Sequence, residues 1–298
     1  MDLHDYQVEA QKSDRSHSGD LKSIMVPLLG LAGETGSLLT EYKKWLREGD
    51  RYKVFTDQVS EELGDILWYV SNIATKLNLD LDEVAQENLA KLSERWPNTD
   101  TVQQSLFTAA NRYDSAFPPD QQLPIKIRVE FREVPKEGAT WLQLTYNGKS
   151  LGDPLTDNAY VNDGYRYHDV FHLTNAIMLG WSPVTRKLLG VKRKKIPQID
   201  EVEDGARAAA TEEGISAFIF GYAKDYSFFE GCETIDYDLL RTVKMMVRPY
   251  EVRDRSNIDW EHTILSGYAV WRSMFKNQGG VFVGDAETGK IEYQPLPI

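Results

Sequence analysis

Apolar residues between positions 59 and 74 recur at three- and four-residue spacing, which predicts an amphipathic helix. They are Leu63, Ile66, Leu67, Val70 and Ile73. The same spacing predicts a long helix over about 20–47 and a third over about 80–96, after a short leading helix within 2–12. The polar stretch 47–56 between the first two long helices is short. We therefore expect these two helices to be antiparallel neighbours.

A different pattern begins after the proline-rich stretch that ends at Pro124. Residues 125–133 alternate apolar and polar side chains, and 141–146 end at an Asn-Gly turn, so both predict strands. Segments 280–283 and 290–293 predict a second hairpin, and we expect all four strands to share one small antiparallel sheet. A second helical block lies between the hairpins.

These patterns predict a mainly α fold, in which a helical bundle is followed by an α+β block with a small antiparallel β-sheet. The predicted domains are a helical domain over 1–112, a linker over 113–124 and a C-terminal α+β domain over 125–298. With 298 residues, the chain is long enough for two domains.

Carboxylates mark the two antiparallel helices. Glu62 and Asp65 are three residues apart and project from one helix face, and the hairpin brings Glu34 opposite them. Mg²⁺ binds a few carboxylates together with waters and substrate phosphate oxygens, so this set predicts a magnesium site for a nucleoside triphosphate. A solvated acidic helix face is the alternative for an E-x-x-D pair alone.

Three segments in this order resemble the MazG-like all-α nucleoside triphosphate pyrophosphohydrolases. They are GLAGETGSLL, EELGDILWYV and LDEVAQENLAKLSERWP, and the resemblance covers about 28–97. It implies an all-α NTP pyrophosphohydrolase-like bundle. It further implies that Glu34, Glu62 and Asp65 bind Mg²⁺, with Mn²⁺ as a second possibility. The residues that the resemblance places near the substrate triphosphate are Asn88, Lys91 and Arg95.

Ser37 departs from the family pattern, which has E-x-x-E on the first helix. A hydroxyl or its bound water can ligate Mg²⁺ but adds no charge. Glu41, one turn further along, can compensate, and otherwise the site is weakened. Glu61 is a candidate for orienting or deprotonating the attacking water. Trp68 and Trp45 can stack on the base or belong to the core.

A second cluster lies on one predicted helix face in the C-terminal block and contains Tyr165, His168, Asp169 and His172. Imidazole with carboxylates suits Zn²⁺, Mn²⁺ or Fe²⁺ better than Mg²⁺. Together with Glu213 it is a possible second site, and a hydrogen-bonded polar patch is the alternative.

Residues 163–250 also align by eye with the first helical segments, which suggests a degenerate second copy. In that alignment Ser216 stands where the first copy has Asp65. One chain can then form the paired bundle of the family internally, and otherwise we expect a homo-oligomer.

The composition narrows the function classes. A net charge of −12 argues against nucleic acid as a partner of the whole surface. The basic cluster 192–195 is the exception, either as a solvated loop or as a phosphate or nucleic-acid patch. The single cysteine fits a reducing, cytoplasmic location. No apolar run approaches membrane-spanning length, and the N-terminus has no signal-peptide core, so we expect no membrane association.

The sequence therefore predicts a Mg²⁺-dependent enzyme that cuts a nucleoside triphosphate between its α and β phosphates. Release of pyrophosphate is implied by the resemblance, whereas the carboxylate spacing indicates only metal and phosphate. One alternative is a nucleotide-binding sensor with feeble hydrolysis. Another is a metal-dependent phosphohydrolase site built from His168, Asp169, His172 and Glu213.

Overall fold

The computed structural model describes residues 1–15, 21–95, 112–136 and 138–297, except for the side chains of 21, 22, 94, 95, 136 and 139. The chain divides into two compact units, Met1–Ser93 and Glu94–Ile298. The first unit is helical and the second combines helices with one sheet, which confirms the predicted fold class.

The first unit is built around a helical hairpin. Its helices are α1 (Leu3–Gln11), α2 (Leu21–Glu48), α3 (Phe55–Lys76) and α4 (Leu81–Arg95), the last of which ends just past the unit boundary. A 3₁₀ turn, Gly49–Arg51, begins the reversal from α2 to α3, and Gly49 adopts a φ of 59° that favours glycine. The aromatic ring of Phe55 closes the hairpin by stacking on Trp45 at 5.4 Å and meeting Tyr42 edge-on at 5.1 Å.

Helix α1 holds α3 and α4 together at the opposite end of the hairpin. The Gln7 side-chain amide donates to Thr75 Oγ1 at 3.0 Å, and its Oε1 accepts from the backbone N–H of Leu81 at 2.9 Å. Asp80 caps α4 by accepting from the backbone N–H of Asp82 at 2.8 Å. The helix therefore begins where the sequence predicts the start of the third long helix, with Asp80 as its N-cap.

One antiparallel sheet with the order β3-β2-β1-β4-β5 forms the floor of the second unit. Its strands are β1 (Lys126–Lys136), β2 (Ala139–Tyr146), β3 (Lys149–Ser150), β4 (Gly279–Asp285) and β5 (Lys290–Gln294). The alternation read from the sequence sets which face is buried, since Ile127, Val129 and Phe131 are at most 3% exposed. The prediction that both hairpins share one sheet is confirmed.

In the described part of the second unit, six α-helices accompany the sheet: α5 (Asp169–Met178), α6 (Pro183–Leu189), α7 (Pro197–Val202), α8 (Ala206–Lys224), α9 (Tyr237–Val247) and α10 (Asn257–Lys276). Helix α5 packs against α10 and β4, and all its residues are buried. A helix that is buried on every side must satisfy each of its polar groups internally. His172 and Asp169 lie on this helix.

The predicted linker 113–124 differs from the structure, in which this stretch is packed into the second unit. Asp114 is 1% exposed and accepts from Arg186 Nη2 at 2.8 Å and from the backbone N–H of Leu123 at 2.7 Å. Phe117 and Leu123 are also buried. The prolines suggested an open connection, but the three buried side chains and the hydrogen bonds of Asp114 fix the segment.

The basic cluster 192–195 also gains a structural role. Arg193 is fully buried and pairs with Asp204 and Glu251, each at 2.7 Å. A guanidinium in such a double ion pair is a fixed part of the fold. Lys194 and Lys195, which follow Arg193 and form a turn, are exposed. The proposed repeat over 163–250 stays a prediction.

Candidate functional site

The candidate site lies on the facing sides of α2 and α3. Glu62 of α3 is half-buried, and its pKa is raised, first by burial and then by the charge and a hydrogen bond of Glu34 on α2. The charges of Asp65 and Glu41 raise the pKa further. The antiparallel hairpin therefore brings together the acids that the spacing predicted to meet.

Repulsion among these carboxylates is the expected signature of a cation site. Like charges held together raise each other's pKa, and a divalent ion reverses this effect when it binds. The neighbouring acids Glu61 and Asp65 are exposed, while Ser37 on α2 is half-buried. Oxygen donors of this kind match the preference of Mg²⁺.

Glu41 differs from the other acids because its charge is already compensated. Lys44 Nζ lies 2.6 Å from Glu41 Oε1, and the Tyr52 hydroxyl donates to Glu41 Oε2. Glu41 is buried. The hydrogen bond from Lys44, and after it the one from Tyr52, lowers the pKa of Glu41. Compensation for Ser37 by Glu41 thus requires a rearrangement of this ion pair. Sequence analysis missed Lys44 and Tyr52, although the i,i+3 spacing of Glu41 and Lys44 was a usable signal.

The two candidate stacking aromatics are both held by protein contacts. Trp68 donates from Nε1 to Ser13 Oγ at 2.7 Å and meets Tyr69 edge-on at 5.0 Å. Trp45 stacks on Phe55 within the hairpin, but its side chain is 39% exposed. Neither contact assigns a base-binding role to these rings.

The predicted triphosphate residues lie on α4. Asn88 and Lys91 are exposed there, and the side chain of Arg95 lies outside the described residues. Their role as substrate ligands stays a prediction.

The contacts that orient α4 were not foreseen, since Gln7 and His4 carried no recognisable motif. His4 Nδ1 lies 2.7 Å from Asp80 Oδ2. This hydrogen bond is the largest cause of the raised pKa of His4.

The residues of the possible second site come together in the second unit. Among the described residues, one group of three potential metal ligands has all its ligand atoms within 4.8 Å of one another, namely His168, Asp169 and His172. Glu213 on α8 lies beside them, with Oε2 at 3.3 Å from His172 Nε2. Burial opposes the charged form of His172, but Glu212 and Glu213 outweigh it and raise the pKa of His172 to about 10.

Segment Ser23–Arg51 corrects the expectation that no apolar run approaches membrane-spanning length. In the described part of the chain, this is the one helix long and apolar enough to qualify by length and composition, with a mean hydropathy of 1.2. Only Glu34 carries a charge between positions 23 and 40, which explains the value. The segment largely coincides with α2, which packs along α3.

Two family models match this chain, each over a different range of residues. The model of the MazG nucleotide pyrophosphohydrolase domain matches residues 27–99, and the model of the MazG C-terminal domain matches residues 108–297. The Gene 37 protein of Mycobacterium phage L5 is 42% identical over 85 residues, which cover 26% of this chain and 73% of that protein. No solved structure matches the chain. The first match contains all the carboxylates of the candidate site, and it confirms the resemblance found over 28–97.

Proposed function

Because the chain belongs to the MazG family, we propose that it is a Mg²⁺-dependent enzyme converting a nucleoside triphosphate to the monophosphate and pyrophosphate. Family membership makes it a hydrolase of nucleotide phosphoanhydride bonds, in a family that generally depends on a divalent metal. The observation that supports the finer proposal is the coupling of Glu62 to Glu34 and Asp65 across the α2–α3 hairpin.

Glu34, Glu62 and Asp65 are the residues that would hold Mg²⁺, with Ser37 as a weaker ligand. Their donors are oxygens, and the raised pKa of Glu62 reflects excess negative charge that a hard cation neutralises. When bound, the metal would offset charge on the phosphate oxygens and lower the pKa of a water. Mn²⁺ takes the same donors and is a second possible cofactor.

Glu61 is our candidate for orienting or deprotonating the attacking water. The Glu61 side chain is exposed. It accepts a hydrogen bond at Oε2 from Nε2 of Gln58, one turn earlier on α3, at 3.2 Å. A general base has to reach its water within hydrogen-bond distance, and Glu61 borders the carboxylate cluster in the sequence. Attack on the α phosphorus breaks its bond to the bridging oxygen, and pyrophosphate leaves.

The residues assigned to the substrate itself are less constrained. Lys91 and Arg95, one turn apart on α4, would stabilise the negative charge of the departing pyrophosphate, and Asn88 would hydrogen-bond the phosphates. Trp68 would stack on the base only if its contact with Ser13 opens. The proposed substrate is therefore defined by its triphosphate and not by its base.

A nucleotide-binding sensor is the second candidate function, and the environment of Glu41 favours it. Ser37 removes one charge from the family pattern, and Lys44 and Tyr52 already engage the acid that might replace it. A site with fewer free charges binds metal more weakly and hydrolyses more slowly. Such a protein would bind a nucleotide with its metal and turn it over poorly.

Pyrophosphate release from a panel of NTPs and dNTPs, with Mg²⁺ or Mn²⁺, tests the proposal. The Glu62→Gln variant should lose at least about 100-fold in turnover, because its amide cannot replace a ligating carboxylate. Asp57→Asn, which changes another acid of α3, is the matched control and should keep full turnover. Metal-dependent nucleotide binding without release from any nucleotide would favour the sensor, and equal turnover of Glu62→Gln would refute the site.

The expected setting follows from the same proposal. A nucleotide is the substrate, and we propose a cytoplasmic enzyme with no nucleic-acid or membrane partner. We also propose a homo-oligomer formed through the first unit. In its described residues only Pro27, Ala74 and Leu81 have buried apolar side chains, so the hairpin covers little of its own apolar surface.

A further inference from the structure

The second unit contains a cluster of metal-binding side chains that the proposed hydrolysis does not use. His168 and Asp169 lie where the 3₁₀ turn Tyr165–Tyr167 leads into α5, and His172 follows one turn later. Glu213 reaches the same point from α8. The imidazole of His172 is 0% exposed, and no ion pair among the described residues neutralises the Asp169 carboxylate, although that residue is 7% exposed. An uncompensated carboxylate at this depth is costly.

Both imidazoles present the same nitrogen to the cluster. His168 Nε2 lies 3.9 Å and His172 Nε2 lies 3.3 Å from the same oxygen, Glu213 Oε2. Ligand atoms that share one ion at about 2.0–2.2 Å lie roughly 3–4.4 Å apart. The observed separations fall in this range, and the whole His168–Asp169–His172 group is within 4.8 Å.

The opposite nitrogen of each imidazole lies beside an oxygen atom. His168 Nδ1 lies 2.9 Å from the carbonyl oxygen of Tyr165, and His172 Nδ1 lies 3.1 Å from Glu212 Oε1. An oxygen beside Nδ1 favours a proton on that nitrogen, so Nε2 is the nitrogen that gives up its proton when an ion binds. Metal-binding histidines in proteins are oriented in this way, by a carbonyl in one case and a carboxylate in the other.

Glu212 is itself fixed by the surrounding fold. It is fully buried and accepts from Asn175 Nδ2 at 3.1 Å, from Ser182 Oγ at 3.0 Å and from the backbone N–H of Val184 at 3.0 Å. Helix α5 and the N-terminal turn of α6 therefore position a carboxylate whose only charged neighbour at contact distance in the described structure is the imidazole of His172. Such support is more than a surface polar patch requires.

We propose that His168, Asp169, His172 and Glu213 bind one first-row divalent transition ion, with Zn²⁺ as the best match and Mn²⁺ or Fe²⁺ as related candidates. Two imidazoles and two carboxylates favour these ions over Mg²⁺. The carboxylates of Asp169 and Glu213 balance the charge of the ion. Glu212 orients His172 but does not itself bind the ion. The Glu213 side chain is 46% exposed, so exchange with solvent occurs from that side.

This site is separate from the carboxylates of the first unit, and its test does not depend on nucleotide hydrolysis. We suggest measuring Zn²⁺ affinity of the full chain by chelator competition, with excess Mg²⁺ present to occupy the carboxylates of α2 and α3. Metal analysis of the purified protein gives the stoichiometry, and Co²⁺ absorption reports the ligand field. The expected result is one Zn²⁺ per chain, retained in Glu62→Gln.

Variants separate a ligand set from a polar patch. His168→Gln and Glu213→Gln should each weaken Zn²⁺ binding at least about 100-fold, and Glu212→Gln by about 10- to 100-fold through loss of orientation. His262→Gln, which replaces an exposed histidine of α10, is the matched control and should bind normally. Glu213 is half-exposed, so its variant should fold even if a buried one does not.

Two results would overturn the proposal. One is the absence of stoichiometric Zn²⁺ or Co²⁺ binding by the wild-type chain. The other is binding that Glu62→Gln abolishes while His168→Gln and Glu213→Gln leave it intact, since the ion would then occupy the first unit. In either case the cluster is a hydrogen-bonded network that only stabilises α5 and α8.

Discussion

The ring of Tyr69 on α3 occupies the space in which a side chain on Gly30 of α2 would lie. A Cβ atom added at Gly30 would be 2.2 Å from Tyr69 Cε1 and 2.3 Å from Cζ. The absence of a side chain thus sets how closely the two helices approach. Because Glu34 follows Gly30 by one turn, this contact also controls the distance between the acids of α2 and α3.

Gly30→Ala should destabilise the first unit, because the ring of Tyr69 has to move or the helices have to separate. We expect a loss of about 1–3 kcal/mol in the free energy of unfolding. Gly33→Ala is the control, since nothing lies within 4 Å of its added Cβ. Removing that glycine from a helix interior should stabilise by about 0.5–1 kcal/mol. Thermal melts followed by circular dichroism give both values, and a stabilising Gly30→Ala would contradict the role of this contact.

Glu62→Gln should raise the stability of the metal-free protein while it abolishes turnover. For a carboxyl whose pKa is raised by folding, the native state binds more protons than the unfolded state between the ordinary and the raised pKa. Stability therefore falls as pH rises through that interval and stays lower above it. The amide carries no charge and removes this loss.

Melting temperatures in EDTA between pH 4 and 8 measure the effect. The gain from Glu62→Gln should be absent at the acid end and full at neutral pH. Asp57→Asn, in the first turn of α3, should show no such gain. A Glu62→Gln protein less stable than wild type at pH 8 would mean that the carboxylates are not mutually repulsive.

Ser37→Glu should strengthen metal binding, because it restores the second acid of the E-x-x-E pattern implied by the family resemblance. One added charge beside the ion should lower the half-saturating Mg²⁺ concentration for pyrophosphate release by about tenfold. Ser37→Gln, similar in size but uncharged, controls for the longer side chain. An unchanged Mg²⁺ requirement in Ser37→Glu would place Ser37 away from the metal.

The hairpin was predictable because local spacing carried the signal. Helical periodicity placed the boundaries of α2, α3 and α4 within a few residues, and a short loop required α2 and α3 to be antiparallel. That geometry was enough to bring Glu34 and Glu62 together. The contact between Gly30 and Tyr69 was not predictable, since nothing in the sequence distinguishes this glycine from Gly33 or Gly36.

Long-range ion pairs were the main features that sequence reasoning missed. Asp114 reaches Arg186 across 72 residues, and Arg193 pairs with Asp204 and Glu251 although it lies in a run of basic residues. Spacing along the chain does not encode such partners. A segment that contains one member of a buried ion pair therefore resembles an exposed loop in the sequence. His172 and Glu213 are separated by 41 residues and were grouped only by their chemistry.

Asp114→Asn should strongly destabilise the second unit. Burial raises the pKa of Asp114, but the hydrogen bonds and charges of Arg112 and Arg186, with the backbone N–H of Leu123, lower it overall. Removing this charge leaves Arg186, which is 1% exposed, with less compensation, at a cost of about 3–5 kcal/mol in the free energy of unfolding.

The sign of the pH dependence follows from the lowered pKa of Asp114. Its stabilisation is present above the ordinary pKa of aspartate and is lost as pH falls through the lower value in the folded state. Urea titrations at pH 7 and pH 3 should show Asp114→Asn losing less relative to wild type at the lower pH. Asp120→Asn, at an exposed position of the same segment, should be neutral at both.

Association through the first unit should depend on its exposed leucines. Leu29 and Leu39 of α2 are 66% and 65% exposed, and Leu63 of α3 is 51% exposed, which leaves apolar surface that a second copy can bury. Leu63→Glu should lower the mass measured by light scattering to that of one chain. Met245→Glu in the second unit, at a residue that is 62% exposed, should leave the mass unchanged.

A wild-type chain that is already monomeric would favour the other expectation, a bundle completed within one chain. Leu63→Glu would then reduce the melting temperature without changing the mass, because the charge would be forced into an internal contact. If the wild-type chain is a monomer and Leu63→Glu changes neither its mass nor its melting temperature, both forms of pairing are contradicted. The hairpin would then be stable with its apolar face in water, against the expectation from its small buried core.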